Sequence, residues 1–353
     1  MKFARLAALL LLALLLAACS KEPLYQEQGF VFGTRVEISI YAADEARARV
    51  AVASVMQEFQ RLHKMLHAWQ PSALSELNRA FAQGQAKPVN AELADMLRDA
   101  AALAKQSNDL FNPAIGGLVQ LWGFHADEFV PAIPEAKRIS ALVAAHPGMH
   151  DIQFRTNKAG IIMASSRNRS VQLDLGGYAK GYALDRAVAL LKQQGIHNAL
   201  INIGGNIMAL GSHGSRAWRV GIQHPRKPGP LATLELRDGE AIGTSGDYQR
   251  YFELGGKRYC HLIDPRSGQP ATQVEAVTVL TSGPRAGVLS DAASKPVFIA
   301  GPDKWLQAAQ QMQLEKVMLI DTHGVVHLTP AMQKRLEFTD KSTVLKLSGP
   351  ALQ

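Results

Sequence analysis

The segment Asp174-Leu175-Gly176-Gly177-Tyr178-Ala179-Lys180-Gly181 has the composition of an anion seat. Paired glycines put no Cβ between backbone and ligand, the N–H groups that open a helix carry partial positive charge, and Lys180 adds a full charge in the first turn. The alternation of Val171, Leu173 and Leu175 predicts a strand entering the glycines, with Asp174 on the opposite face toward ligand or solvent. The same Gly-Gly pair also serves ordinary loops. Leu200 to Ile203 runs likewise into Gly204-Gly205, followed by Asn206, and Gly243-Thr244-Ser245-Gly246-Asp247 reads as a third glycine-bearing turn. Three such turns cost chain entropy and point to close backbone approach by a bulky ligand.

Two further stretches carry titratable groups. His261-Leu262-Ile263-Asp264-Pro265-Arg266-Ser267-Gly268 reads as a strand running into a proline turn, with His261 and Ile263 on one face. His261 has the chemistry of a general base near neutral pH, or of an imidazole that bonds a backbone carbonyl. Its neighbour Cys260 faces the other way in a strand and is read as a packed thiol. Asp291, within Ser290-Asp291-Ala292-Ala293-Ser294-Lys295, is placed in the first turns of a helix, where a carboxylate either binds a hard cation or favours the helix N-terminus.

The elements that must position these groups begin with a strand over Arg35 to Tyr41, where Val36, Ile38 and Ile40 alternate with polar residues. Val52, Val55, Met56, Phe59, Leu62 and Leu66 recur at helical spacing, as do Leu93, Met96, Leu97, Ala100 and Leu103 behind Asn90 as N-cap. Gly123 to Pro134 reads as a loop, Glu135 to Ala145 as a short helix, and the helix after Gly177 stops at Gly195. Strands follow over Leu200–Ile203, Trp218–Ile222, Ala232–Leu236, Arg258–Ile263, Val277–Thr281 and Val317–Ile320. Early helices and late clustered strands specify an α+β fold rather than regular βαβ alternation.

Lys2 and Arg5 precede an apolar run from Leu6 to Ala18 that is too short to span a bilayer, the pattern of a secretion signal. Its end, Leu16-Ala17-Ala18-Cys19, resembles the lipobox of bacterial lipoproteins, in which the cysteine is acylated and becomes the mature N-terminus. Cys260 is then the one remaining cysteine, so no intrachain disulfide is available and stability rests on a core drawn from a chain that is 47% apolar. The formal charge is +8, or +6 without Lys2 and Arg5. With no clustered Lys/Arg block and 7% aromatics, no nucleic-acid partner is expected.

Several segments in one order resemble the ApbE family of FAD:protein FMN transferases: Phe32-Gly33-Thr34, Ser72 to Asn78, Phe111-Asn112-Pro113-Ala114-Ile115-Gly116-Gly117 through Phe124, the glycine segments above, and His261 to Gly268. The resemblance covers most of the mature chain. It implies an ApbE-like α+β fold with a mixed, mostly antiparallel sheet, flanking helices and two intimately packed subdomains. It divides the chain into a signal peptide (1–18), a tether (19–28), the transferase domain (29–340) and a C-terminal tail (341–353).

The resemblance further implies that Phe32 and Trp69 border the flavin and that Leu110, Phe111, Asn112, Asp174, Lys180, Ile263 and Ser294 contact FAD. Trp69 stands where the family usually has a tyrosine, and Asn112 where it often has an aspartate. A magnesium ion is implied on the Gly177 carbonyl and the Asp291 carboxylate, and His261 is marked as the base. The family's usual hydroxyl ligand four residues after the aspartate is here Lys295, whose ammonium cannot ligate a cation.

Transfer of FMN from FAD to a Thr or Ser hydroxyl of an acceptor flavoprotein subunit, with release of AMP, is the implied activity. The implied place is the periplasmic side of the inner membrane, on a lipid anchor. The competing readings are a lipid-anchored FAD-binding protein and an FAD pyrophosphatase without protein flavinylation.

Overall fold

The computed structural model describes residues 24–126 and 128–349. The signal segment, Cys19 and residues 350–353 lie outside the described residues.

Its frame is a nine-stranded sheet whose strands lie side by side in chain order: β1 (Leu24–Val31), β2 (Thr34–Tyr41), β3 (Ala199–Ile203), β4 (Asn206–Leu210), β5 (Glu240–Gly246), β6 (Val274–Ser282), β7 (Lys316–Asp321), β8 (Val326–Leu328) and β9 (Leu345–Leu347). Neighbours are antiparallel except β8 and β9, which run parallel. The expected α+β class and mostly antiparallel sheet are therefore present.

Between the strands the chain makes long excursions. Helices α1 (Glu45–Leu66), α2 (Ala73–Ala82), α3 (Ala91–Gln106) and α4 (Ala179–Gln193) all arise between β2 and β3, while α5 (Ala286–Ala292) and α6 (Ser294–Gln311) arise between β6 and β7. Adjacent residues of one strand serve opposite layers. In β5, Ala241 joins a core with Phe59, Leu97 and Leu184 of the helices, whereas Ile242 packs with Trp218, Val220 and Leu234 of a hairpin on the other face. This is the period-two geometry of a sheet covered on both sides.

The helix starts follow capping chemistry. Asn90 accepts from Leu93 N–H at 2.7 Å as the N-cap of α3, and Ser72 and Ser75 form a reciprocal box at α2. α1, α3 and the Glu135–Ala145 expectation, observed as Ala136–Ala144, match the apolar spacing within a few residues.

Other boundaries need correction. Residues 24–28, expected as tether, form half of β1, because every one of them pairs with β2. Residues 345–347 of the expected tail add an exposed edge strand. The run from Val171 to Leu175 is extended but makes no ladder. Its backbone is held instead by Asn78, which donates to the Leu173 carbonyl at 2.9 Å and accepts from the Leu173 N–H at 2.7 Å, and by the carbonyls of Pro113 and Ala114.

Gly204 and Gly205, with φ of 58° and 91°, form the two-residue turn of the β3–β4 hairpin, a geometry that favours glycine. Gly243 to Gly246 is no turn but the interior of β5; a Cβ on Gly243 would run into the Ser290 carbonyl of α5. The strand over Arg258 to Ile263 breaks at His261, since pairing stops at Cys260 and resumes at Ile263 in a different hairpin.

Asp291 lies in the last turn of α5, not the first turn of a helix. The chain keeps helical dihedrals through Ala293 (φ −76°, ψ −14°) into α6, and Pro296, lacking an N–H, cannot bond back across that junction. α4 and α5 cross at Gly181 and Gly287, where a Cβ on either would overlap the other's carbonyl oxygen. Gly181→Ala must therefore separate two backbones, and a loss of roughly 1–3 kcal/mol is expected. Urea unfolding checks this, and an unchanged midpoint would contradict the crossing.

Candidate functional site

Three excursions from the sheet meet at one place. The β2–β3 excursion brings Trp69, Phe111 and the 174–181 turn; the β5–β6 excursion brings Arg250 and His261; the β6–β7 excursion brings Asp291 and Lys295.

Asp174 accepts from the Gly176 N–H at 2.8 Å, which closes the turn ahead of α4. Burial pushes its carboxyl up; that hydrogen bond, the Arg250 charge, the Trp69 side chain and His67 pull it back. Lys180 reaches the Gly176 carbonyl at 3.4 Å. Trp69 sits in a loop held by His67, whose Nδ1 accepts from the Trp69 and Gln70 N–H groups at 3.2 and 3.0 Å. Its indole lies 5.4 Å from the His125 ring. Phe32, at the β1–β2 turn with φ 57°, connects to this group through rings: His63 is 5.7 Å from it and 5.2 Å from His67.

Asp291 is fully buried. One carboxylate oxygen accepts from Gly181 N–H at 3.0 Å and the other from the Lys295 ammonium, which also donates to the Asp291 carbonyl at 2.7 Å. Burial alone would raise the Asp291 carboxyl, but Lys180, Lys295 and the Gly181 hydrogen bond overcome it and hold the group ionised. The stem of Lys295 passes Gly177 so closely that a Cβ there would lie 3.2 Å from its Cε, and 3.7 Å from the Phe111 ring.

Whether Gly177 and Asp291 suit a magnesium ion follows from these contacts. The ion prefers six oxygen ligands in near-octahedral array. Here an ammonium occupies one Asp291 oxygen and an N–H the other, so the one carboxylate the site offers is already bonded on both oxygens. The residues as placed do not form a magnesium shell.

His261 is partly exposed. Its Nδ1 is 3.2 Å from the Arg250 carbonyl. A carbonyl only accepts, so Nδ1 carries the proton and Nε2 the lone pair. Enclosure by the protein, then the charges of Arg250, Lys180 and Lys295, lower its pKa to about 3. Arg250 is itself held by the Phe124 and Ala126 carbonyls at 2.7 and 3.2 Å and lies over the Phe129 ring.

The other expected residues serve the walls. Asn112 donates to the Pro147 carbonyl at 3.0 Å and accepts from Ala114 N–H at 3.0 Å, so its amide shapes a loop. Ser294 donates to the Asp291 carbonyl at 2.7 Å and lies 2.7 Å from the Ser245 hydroxyl. Ile263 is packed with Leu118, Trp122 and Phe252, and Leu110 is buried beside Phe111. Cys260 is a packed thiol as expected, its pKa raised to about 12 by burial.

Sequence reading missed Arg250, His67 and His125. Each owes its place to loop packing, and no spacing in the chain marks it. The cluster thus gathers three cations, Lys180, Lys295 and Arg250, against two carboxylates, beside a neutral imidazole and a border of aromatic rings. Such a site takes a polyanionic ligand with an aromatic portion.

A profile of the ApbE family matches residues 32–318. An FAD:protein FMN transferase of Rhodobacter capsulatus is 44% identical over 315 residues, which is 89% of this chain; the chain spans 59% of that relative's length. One from Klebsiella pneumoniae (strain 342) is 31% identical over 83% of both chains. The crystal structure of the ApbE protein from Thermotoga maritima superposes with a TM-score of 0.79 at 27% identity, covering 89% of this chain and 99% of that one. Fold and relatives agree, and the chain belongs to the ApbE family.

Proposed function

We propose that the chain transfers FMN from FAD to a Thr or Ser hydroxyl of an acceptor protein, and that His261, Lys180, Lys295 and Trp69 carry the reaction. FAD:protein FMN transferase is the activity of its relatives. The observation that carries the reading onto these residues is the meeting of a neutral, oriented imidazole with two lysines at a glycine turn.

In this reading the diphosphate of FAD lies over Gly176-Gly177 between Lys180 and Lys295, and the isoalloxazine against Trp69 and the Phe32 edge. The acceptor oxygen bonds to the FMN phosphorus, the bond from that phosphorus to the bridging oxygen breaks, and AMP leaves with the bridging oxygen. The hydroxyl proton passes to His261 Nε2. Phosphoryl transfer asks mainly for alignment and charge neutralisation. The Arg250 carbonyl fixes the imidazole, and the lysines stabilise charge on the phosphate oxygens.

A pKa near 3 makes His261 a weak base in the protein alone. The two negative charges of a bound diphosphate offset the lysines that depress it and so raise its basicity when substrate is present. The carboxylate implied for magnesium carries the Lys295 ammonium instead.

The N-terminal pattern supports acylation at Cys19 and attachment to the periplasmic face of the inner membrane. The acceptor is then an exported or membrane flavoprotein subunit with an accessible Thr or Ser. Among the described residues no helix is long and apolar enough to cross a membrane.

Incubation of the chain with FAD and an acceptor carrying an exposed Thr motif, followed by intact mass and flavin fluorescence, is expected to show one covalent FMN per acceptor. FMN and AMP accumulating without adduct would instead favour hydrolysis. His261→Gln should lower transfer about 10²–10⁴-fold with FAD affinity nearly unchanged. Trp69→Ala should weaken FAD binding by roughly 3–10-fold through lost ring contact.

Since His261 is protonated only below about pH 3 in the free protein, kcat/KM for FAD should show no acid limb from it between pH 5 and 8. A limb centred near 6.5 would mean that the imidazole is not held as described.

A further inference from the structure

The Asp291–Lys295 pair is more elaborate than a helix-surface ion pair. The carboxylate has no exposed surface, and the lysine is only slightly exposed. Asp291 is anchored from behind by the Gly181 N–H, and the glycine crossing of α4 and α5 brings it that close. The ammonium makes two bonds, to the Asp291 carboxylate and the Asp291 carbonyl, out of the three its protons allow. Among the described residues its third proton has no acceptor.

The direction of the side chain matters equally. The lysine stem lies along Gly177, where a Cβ would stand 3.2 Å from its Cε, so the ammonium reaches Asp291 directly beside the glycine turn. Lys180 stands on the same turn, and its charge acts on both members of the pair. Two like charges held near one another in a mostly enclosed place repel, and an anion between them relieves the repulsion. A divalent cation added to the same carboxylate would have to displace the ammonium or sit against it.

We propose that Lys295 is the resident cation of this site: its ammonium, braced by Asp291, binds the FAD diphosphate together with Lys180, so that FAD binding and FMN transfer proceed without a divalent metal ion. The inference rests on the reading of the turn as the diphosphate seat. Lysine supplies a point charge with rotatable donors, which suits a phosphate whose geometry changes as the bond to AMP breaks. One charge replaces two, and Lys180 supplies the other.

The test measures FAD affinity by flavin fluorescence on the full chain in detergent, in excess EDTA and then in excess magnesium, with adduct formation read in parallel. For the wild type, both conditions should give the same Kd within about 3-fold, and adduct should form in EDTA. Lys295→Thr should bind FAD at least ~10-fold more weakly in EDTA, the cost of a lost charge-assisted hydrogen bond, and should regain affinity with magnesium on the vacated Asp291.

The double variant Asp291→Asn/Lys295→Met leaves no unpaired buried charge and guards against misfolding of the single one. It should bind weakly in both conditions. Wild-type affinity that collapses in EDTA and returns with magnesium would overturn the proposal, as would Lys295→Thr or the double variant binding like wild type in EDTA. Metal-independent FAD binding without adduct on any acceptor would leave the role of Lys295 standing and sink the transferase reading instead. Absence of FAD binding in every condition would overturn both.

Discussion

Everything at the site depends on one buried carboxylate. Asp291 has no contact with solvent, and a charge so placed must be compensated on all sides. Its compensation ties three parts of the chain together: the N–H of Gly181 from the first turns of α4, the ammonium of Lys295 from α6, and its own helix α5. That closure is possible only because Gly181 and Gly287 let two helix backbones touch. The anion seat at Gly176-Gly177 is thereby fixed relative to the lysine that overlooks it.

From that closure the electrostatics of the cluster follow. Lys180 and Lys295 hold Asp291 ionised against its burial, and enclosure, then the charges of Arg250 and these lysines, keeps the His261 imidazole neutral. In the proposed reading, the same charges that disfavour a proton on the imidazole favour a diphosphate beside it, and an anion that satisfies the lysines raises the basicity of the histidine. The sheet contributes rigidity: its strands lie in chain order, and the three excursions that carry the site start from interior strands, each paired on both sides.

Relatives and fold establish the family. Within this chain Trp69 sets a large ring beside the site, the Asn112 amide serves its own loop by bonding Pro147 and Ala114, and Lys295 places a cation on Asp291 where the resemblance implies a hydroxyl ligand.

The sequence by itself determined the amphipathic helices, four of the nine strands of the sheet and the identity of the glycine turn, because those are written in periods of 3.6 and 2 and in capping residues that act over a few positions. His261, Asp174, Lys180 and Asp291 were legible as candidates for the same reason, since residue type and near neighbours mark them, whereas the odd placement of Lys295 showed only against the family resemblance. Tertiary structure alone decided what the glycines are for. Gly204-Gly205 turns a hairpin, Gly243 lies under α5, and Gly177 makes way for a lysine, and these differ only in what approaches from far along the chain. It also decided that Val171 to Leu175 is held by Asn78 rather than by a strand partner, and that Arg250 and His67 belong to the site. Local periodicity cannot report such contacts, because the partners lie dozens of residues apart, Asn78 and Leu173 by 95, and meet only when the core has closed.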